Sequence, residues 1–188
     1  MAPGDRWFFD RIHPLYDQFM PAASSEPLGA GLAFADGSTD RVLDLGGGTG
    51  RASRAVDRPN RFVVDLSRGM LQRVSPEIGP VLGSATELPV ADGVVDAVIV
   101  VDALHHFPDH DRVLSEVFRV LRPGGVLVIR DFNPGTVRGR LLALGEHAIG
   151  MESTFQTPAA LLHRLDRCGF TADFIEGGFG FTVVGRKP

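Results

Sequence analysis

Short runs of β-branched and other apolar residues recur along the first two thirds of the chain, separated by longer segments of mixed polarity. Four of these runs are predicted to be β-strands, at residues 41–45, 62–65, 95–101 and 126–131. Each run is continuously apolar instead of alternating, which is typical of strands that are covered on both faces. The pattern therefore predicts an α/β fold, with helices packed on both sides of one sheet.

A helix is predicted between the last two of these strands. Apolar side chains recur on one stripe across residues 111–121, and Pro123, Gly124 and Gly125 follow as a stop signal. Asp109 or Asp111 can supply the N-cap. The segment is therefore expected to be an amphipathic helix that packs on the sheet.

The C-terminal part is predicted to contain one further helix and a β-hairpin. Thr157 can cap the helix, Pro158 occupies its first turn, and Gly169 lies just past its end. Residues 170–176 and 179–186 are predicted to be two strands, because a pair of glycines separates them. Two further segments have helical character, residues 6–20, and residues 133–156 with a loop.

The most informative stretch is VLDLGGGTGR at residues 42–51, where a predicted strand runs into a glycine loop. Glycine permits positive φ angles and lets backbone N–H groups approach a ligand closely, which is typical of a nucleotide-cofactor site. Arg51 stands where the dinucleotide pattern G-x-G-x-x-G needs its third glycine. The loop alone therefore leaves the kind of nucleotide open.

Asp65 ends the second predicted strand, about 20 residues beyond the glycine loop. Because the ends of adjacent parallel strands meet at one sheet edge, its carboxylate is expected to accept hydrogen bonds from a ribose diol. The alternative is that Asp65 caps the following helix, a role for which Ser67 competes.

Composition narrows the class of protein. The chain has 188 residues, a net charge of −4 and one cysteine, Cys168. It has no dense basic segment for nucleic acid and no run of about 18 apolar residues for a membrane span. A single cysteine excludes an intrachain disulfide and fits a reducing compartment. We expect one domain, located in the cytoplasm.

Four motifs in this order resemble the class I S-adenosylmethionine-dependent methyltransferases, in particular the ubiquinone/menaquinone C-methyltransferase-like (type 11) branch. The motifs are VLDLGGGTGR at 42–51, VVDLSRGML at 63–71, GSATELPVADGVVDAVIVVDALHHF at 83–107 and SEVFRVLRPGGVLVIRDF at 115–132. The resemblance implies a doubly wound, Rossmann-like sheet of seven strands, mostly parallel with an antiparallel C-terminal strand. It also implies S-adenosyl-L-methionine as cofactor and a small-molecule methyl acceptor, such as a quinone precursor or another phenol or enol.

The same resemblance divides the single domain, residues 1–188, into three parts. Residues 1–35 are expected to form an N-terminal helical cover, with the segment 6–20 over the cofactor. Residues 40–132 are expected to form the cofactor-binding core. Residues 133–188 are expected to form the substrate wall and the C-terminal hairpin.

Cofactor contacts are implied at positions of the matching motifs and of the N-terminal segment. They are Tyr16, Asp44, Gly46, Gly47, Gly48, Gly50, Asp65, Leu66, Met70, Ser84, Ala85, Thr86, Asp102 and Ala103. Asp44 matches the position that contacts or orients the methionyl ammonium, and it could also simply hold the loop backbone. The segment Ser84–Thr86 matches the adenine region, where Ser84 replaces a carboxylate and is expected to be a weaker acceptor. Leu66 and Met70 could face the adenine or the core.

His105 and His106 follow the strand that ends at residue 101. Imidazole titrates near neutral pH, so either histidine could remove the acceptor's proton as a general base, and either could instead be structural. A metal site on this pair would need a third ligand. Asp109, His110 and Asp111 follow closely, but their spacing matches no standard site, so no metal is predicted.

Two other function classes stay open. The first is a protein that binds S-adenosylmethionine without transferring its methyl group. The second is an NAD-dependent oxidoreductase, which Arg51 and the lack of a Tyr-x-x-x-Lys pair disfavour. The sequence leaves the acceptor and the oligomeric state open.

Overall fold

The strands of the computed structural model, which describes residues 24–188, form one sheet of seven. They are β1 Arg41–Leu45, β2 Asn60–Asp65, β3 Gly79–Leu82, β4 Val95–Val101, β5 Leu121–Phe132, β6 Thr171–Glu176 and β7 Gly180–Arg186. The strand order is β3-β2-β1-β4-β5-β7-β6. The first five strands are parallel, and β7 is antiparallel to both β5 and β6. The predicted fold is confirmed.

The strand order reverses direction between β1 and β4. From β1 the chain proceeds outward through β2 and β3, and then returns to place β4 on the other side of β1. The crevice outside the carboxyl ends of strands at such a point is the usual ligand site in this architecture. The fold therefore directs attention to the loops that follow β1, β2 and β4.

Six α-helices and one 3₁₀ turn connect the strands within the described residues. They are α1 Ser25–Leu32, α2 Arg51–Arg54, α3 Arg68–Leu71, the 3₁₀ turn Leu104–His106, α4 His110–Val120, α5 Val137–Ala148 and α6 Pro158–Arg167. The predicted caps are confirmed where Asp109 accepts from Arg112 N–H (3.0 Å) and Thr157 accepts from Ala160 N–H (3.3 Å). No helix in residues 24–188 combines the length and apolar character that crossing a bilayer requires.

The core lies on both faces of the sheet, as the continuous apolar strands predict. In β4, Val98 and Val100 pack into one apolar cluster, whereas Ala97 and Ile99 pack into the other. Helix α1 packs closely on the second face: a Cβ added to Gly31 would lie 2.6 Å from Val128 Cγ1. The described part of the predicted N-terminal cover thus packs on the sheet. Residues 6–20, including Tyr16, lie outside the described residues.

Sequence patterns did not locate strand β3, whereas the helix expected after Asp65 is α3. Strand β3 has only four residues and contains Pro80, which an edge strand tolerates. Helix α3 is a single turn. The expected stop signal at Pro123–Gly125 also acts differently, because α4 ends at Val120 and these residues form an irregularity inside β5.

Candidate active site

A cleft opens at the carboxyl edge of the sheet, beside the ends of β1, β2 and β4. The space within it, counted together with the open solvent at its mouth, is about 540 Å³. Its lining residues are Gly46, Gly47, Gly48, Arg51, Ala52, Asp65, Met70, Val101, Asp102, Ala103, His106 and Phe107. Predicted site residues from three separate segments of the sequence thus meet in one cleft.

The glycine loop leaves β1 in a conformation that requires glycine. Its φ angles are 69° at Gly46, 56° at Gly48 and 79° at Gly50, in the left-handed region that other residues rarely adopt. A Cβ on Gly48 would have only Met70 Sδ within 4 Å, at 3.8 Å. A side chain there would therefore occupy space that the loop leaves for a ligand. Gly50 starts α2 and is not part of the cleft lining.

Asp44 lies beneath the loop and does not line the cleft. Its buried Oδ2 accepts hydrogen bonds from the backbone N–H (2.9 Å) and hydroxyl (2.8 Å) of Ser53, whereas Oδ1 has no hydrogen-bond partner among residues 24–188. Burial raises the pKa of Asp44 to about 6, although the bonds from Ser53 oppose this. A Cβ on Gly47 would lie 2.4 Å from Asp44 Cγ. The geometry therefore favours the loop-supporting role over direct contact with a ligand.

Asp65 is the buried carboxylate of the cleft wall. Its Oδ2 accepts from Gly48 N–H (3.0 Å) and its Oδ1 accepts from Ser67 N–H (2.8 Å). Burial raises the pKa of Asp65, while these backbone hydrogen bonds act in the opposite direction. The Ser67 hydroxyl accepts from Met70 N–H (3.2 Å), so Ser67 and not Asp65 caps α3.

The predicted adenine contacts are brought to the cleft only in part. Met70 lines it, but Leu66, Ser84, Ala85 and Thr86 do not. The Ser84 and Thr86 hydroxyls bond to each other (2.8 Å), and Thr86 N–H donates to Ser84 Oγ (3.2 Å). Ala85 is buried in the apolar core. The structure thus places these four residues outside the cleft lining, and the hydroxyls of Ser84 and Thr86 bond within their own turn. The adenine contacts expected from them stay predictions.

Asp102 follows β4 and carries the only positive φ of a non-glycine residue in the described chain, at 52°. Such a conformation is uncommon and often marks a functional site. Its Oδ2 pairs with Arg51 Nη2 at 2.7 Å, and both side chains are largely buried. Arg51, which argued against a dinucleotide loop, thus adds a positive charge to the cleft. Ala103, the next residue, also lines it.

The two histidines of the 3₁₀ turn differ in their position relative to the cleft. His106 lines the cleft, whereas His105 is only 2% exposed and stacks on Phe155 with ring centroids 4.3 Å apart. Asp131 holds His105 through Nδ1 (2.6 Å) and through its backbone N–H (3.2 Å). Burial lowers the pKa of His105, but Asp131 outweighs this and the pKa is raised. Of the two, His106 is therefore the one positioned to reach an acceptor.

Two residues from the C-terminal half approach the histidines. Glu146 of α5 places Oε1 3.8 Å from His105 Nε2. The Ser153 hydroxyl lies 3.3 Å from His106 Nδ1 and donates to Glu146 Oε2. The segment 133–156 thus approaches the two histidines through Glu146 and Ser153, and its role as a substrate wall stays a prediction.

The acidic and histidine side chains that follow the pair are used elsewhere. Asp109 caps α4, His110 Nε2 bonds to Leu104 O (2.9 Å), and Asp111 pairs with Arg164 (2.5 Å). A third side chain capable of metal ligation comes instead from Glu146. Sequence spacing could not indicate it, because 40 residues separate Glu146 from His106.

Other residues of this region were also missed from the sequence. Val101, Phe107, Asp131 and Ser153 were not predicted as site residues. Asp131 had a detectable signal, because it lies at the carboxyl end of a predicted strand, as Asp65 does. Ser153 had none, since its position depends on how the segment after α5 folds back.

The comparison with protein families agrees with this geometry. Residues 43–129 match a sequence model described as a methyltransferase domain. The matched segment contains the glycine loop, Asp65, Asp102 and both histidines. The match supports a class I S-adenosylmethionine-dependent methyltransferase. This similarity accounts for the conjunction of a glycine loop, a carboxylate at the end of β2 and a cleft at the strand-order reversal.

Sequence similarity to a curated methyltransferase extends over about half of the chain. The demethylmenaquinone methyltransferase of Mycolicibacterium vanbaalenii is 41% identical over 101 residues, which cover 52% of this chain and 44% of that protein. The chain thus spans less than half the length of this relative.

Solved structures extend the likeness of fold to nearly the whole chain. A methyltransferase of Thermotoga maritima, described as a possible histamine N-methyltransferase, aligns with a TM-score of 0.80 and 18% identity over 96% of this chain and 98% of that one. The [4+2]-cyclase SpnF aligns with a TM-score of 0.74 and 16% identity over 97% and 95%. Because a cyclase shares the architecture, the fold does not define the reaction.

Proposed function

We propose that this protein transfers a methyl group from S-adenosylmethionine to a small-molecule acceptor. The observation that carries the proposal is one cleft that joins the glycine loop and Asp65 on one side to Asp102 and His106 on the other. The first group suits a nucleoside, and the second suits the amino acid end of the cofactor and the acceptor.

The residues of the cleft fit the cofactor. The Asp65 carboxylate accepts hydrogen bonds from the backbone N–H groups of Gly48, Ser67 and Leu66, and its two oxygens have capacity for a further hydrogen bond from a ribose hydroxyl. Met70 offers an apolar surface beside the bare backbone of Gly48. We infer that these residues bind the adenosine, and that the adenine contacts expected from Ser84 to Thr86 are replaced by Met70.

The Arg51–Asp102 ion pair is proposed to bind the methionyl end of the cofactor. Methionine has one carboxylate and one ammonium, and the pair offers the complementary guanidinium and carboxylate on the cleft wall. A ligand with both charges can engage the pair without leaving either side chain unpaired. Asp44 is proposed to act indirectly, by supporting the loop through Ser53.

The chemistry then requires alignment and the loss of one proton. When bound, the cofactor supplies an electrophilic methyl group. The acceptor's nucleophilic atom forms a bond to the methyl carbon while the carbon–sulfur bond breaks, and the acceptor gives up one proton. We propose that the cleft walls align the two reactants and that the histidine corner, where His106 lines the cleft and His105 supports it, activates the acceptor.

For the acceptor class we propose a phenol or enol, such as a quinone precursor. Support comes from the curated relatives named demethylmenaquinone methyltransferase and from the mixed character of the cleft wall, in which Val101 and Phe107 lie near His106. A flat apolar ring with one ionisable hydroxyl matches that combination.

Calorimetry and a transfer assay test the proposal together. The full chain should bind S-adenosylmethionine and S-adenosylhomocysteine, with negligible binding of NAD. Methyl transfer from labelled cofactor is then measured on a panel of phenols, enols and quinol-like compounds. Comparable binding of NAD would overturn the cofactor assignment. Tight cofactor binding with no transfer across acceptor classes would favour a protein that binds the cofactor without methyl transfer.

A further inference from the structure

We propose that His105, His106 and Glu146, here called the His-His-Glu cluster, bind one divalent transition-metal ion at the acceptor side of the cleft. One ligand atom from each of the three side chains lies within 4.8 Å of those of the other two. Two imidazoles and one carboxylate are a common ligand set for first-row transition metals that keep open coordination positions.

The orientation of His105 is the first argument. Asp131 is an acceptor, so His105 Nδ1 donates to it at 2.6 Å, and in the neutral ring the lone pair then resides on Nε2. Nε2 faces Glu146 Oε1, a second acceptor, at 3.8 Å. This separation is too long for a hydrogen bond, but it is close to the ligand-to-ligand distance expected around an ion with bonds of about 2.0–2.2 Å.

The Ser153 hydroxyl gives the second argument, through His106. Glu146 Oε2 can only accept, so the hydroxyl donates to it and is left to accept from His106 Nδ1–H. In the neutral ring this again assigns the lone pair to Nε2. Both histidines thus have an oxygen partner on Nδ1, which is the arrangement that orients metal-binding histidines. The same hydroxyl also fixes Glu146.

The charge and the burial of the His-His-Glu cluster also favour a bound cation. His105 and His106 are buried, and the Glu146 side chain is only 14% exposed. The carboxylates of Asp131 and Glu146 lie 2.6 and 3.8 Å from the two ring nitrogens of His105. A buried cluster with excess negative charge is stabilised by a bound cation. Imidazole ligands favour zinc-like ions over magnesium or calcium, which prefer oxygen ligands.

The location suggests what the ion does, and this step rests on the proposed function. His106 belongs to the cluster and also lines the cleft, so an open coordination position would face the acceptor. Coordination of an acceptor hydroxyl lowers its pKa, its O–H bond breaks, and the proton passes to solvent water. The oxygen then forms the bond to the methyl carbon as the carbon–sulfur bond breaks.

Zinc binding by the full chain tests the site without any methyl acceptor. After treatment with a chelator and its removal, titration with Zn²⁺ alone should show one ion per chain. Glu146→Gln should weaken binding by more than 10-fold, and Asp131→Asn, which removes the carboxylate charge beside His105 Nδ1, by about 10- to 100-fold. His147→Gln is the matched control: His147 is the next residue of α5, exposed, and bonded to Ala143 O. It should leave the affinity unchanged.

Cobalt provides a readout that a purely structural role would not alter. Co²⁺ in place of zinc should give the visible absorption of a low-coordinate site in the wild type and in His147→Gln, and a changed spectrum in Glu146→Gln. Thermal unfolding of the metal-free proteins shows that each variant is folded. Asp131→Asn provides a second measurement if Glu146→Gln is not folded.

The result that overturns the proposal is a wild type without stoichiometric zinc, or a Glu146→Gln variant with wild-type zinc affinity. In that case the histidines revert to the general-base role expected from the sequence. The cofactor is tested separately by titrating S-adenosylhomocysteine into the metal-free protein. Zinc binding without S-adenosylhomocysteine binding would refute the proposed function and leave the metal site standing.

Discussion

Buried carboxylates are held differently where the parallel strands begin, here called the amino edge of the sheet, and where they end, here called the carboxyl edge. At the amino edge, Asp96 of β4 bonds to Arg41 (2.9 Å) and Arg122 (2.8 Å). Burial alone would raise the pKa of Asp96, but the arginine partners lower it to about 2. At the carboxyl edge, Asp44 and Asp65 accept from backbone N–H groups and a hydroxyl, and burial raises the pKa of both.

The difference separates stabilising carboxylates from those at the ligand site. Arg41 and Arg122 neutralise the charge of Asp96, so Asp96 contributes to stability and has little remaining capacity to bind a ligand. Within residues 24–188, Asp65 accepts hydrogen bonds from backbone N–H groups and from no arginine, and it lines the cleft, so it retains capacity for a ligand. In the same part of the chain, Asp44 Oδ1 has no hydrogen-bond partner. At the candidate site, therefore, the pKa values of the buried carboxylates are raised and the protein neutralises their charges only in part.

The largest expected effect is that of Asp44→Asn on the pH dependence of the free energy of unfolding. The pKa of Asp44 is about 6 in the folded state and about 3.9 in an unfolded chain. Its protonated form therefore stabilises the fold below pH 4, and this contribution is lost as the pH rises to 6. The stability of the wild type relative to Asp44→Asn should fall by roughly 3 kcal/mol over the whole titration, of which about 2 kcal/mol lies between pH 4 and pH 6.5.

Urea denaturation of both proteins at pH 4, 5, 6 and 7.5 measures this difference. All other titrating groups are common to the two chains, so the comparison isolates Asp44. Above pH 6.5, the difference in free energy of unfolding between the two proteins should no longer change with pH. A difference that does not change with pH would mean that Asp44 is not an isolated buried carboxylate.

Asp65→Ala should have the next largest effect, on ligand affinity. Loss of hydrogen bonds to a charged acceptor costs about 1.5–3 kcal/mol, or about 10- to 150-fold in the affinity for S-adenosylhomocysteine. Asp65→Asn keeps an acceptor oxygen without the charge and should lie between this variant and the wild type. Calorimetry at pH 7.5 measures all three. Equal affinities would place the ribose elsewhere.

Sequence reasoning succeeded where the determinants are local. The glycine loop, the caps Asp109 and Thr157, and the carboxylate that follows β2 can all be recognised from a few neighbouring residues. It did not succeed where side chains meet through tertiary packing. Ser84 and Thr86 bond to each other instead of facing the cleft, and Glu146 reaches His105 only because α5 packs beside the 3₁₀ turn.

Asp96→Asn should show the converse of the Asp65 effect. Because the folded-state pKa of Asp96 is lowered to about 2, its contribution is present above pH 4 and is lost as the pH falls to 2. Arg41 and Arg122 are partly exposed to solvent, which reduces the expected loss at pH 7 to about 1–2 kcal/mol. Affinity for S-adenosylhomocysteine should not change. A loss of affinity as large as that of Asp65→Ala would end the distinction between the two edges.

Gly29→Ala in α1 should have the smallest effect, and a stabilising one. Gly29 is exposed and a Cβ there would meet nothing within 4 Å, so alanine should stabilise the helix by about 0.5–1 kcal/mol. Gly31→Ala is the control, because its Cβ would lie 2.6 Å from Val128 Cγ1 on the sheet and should destabilise the fold. Both variants should bind S-adenosylhomocysteine as the wild type does, since α1 contributes no residue to the cleft lining. Thermal unfolding and calorimetry measure the two effects, and weaker ligand binding by Gly29→Ala would show that this helix is coupled to the site and not only to the packing of the sheet.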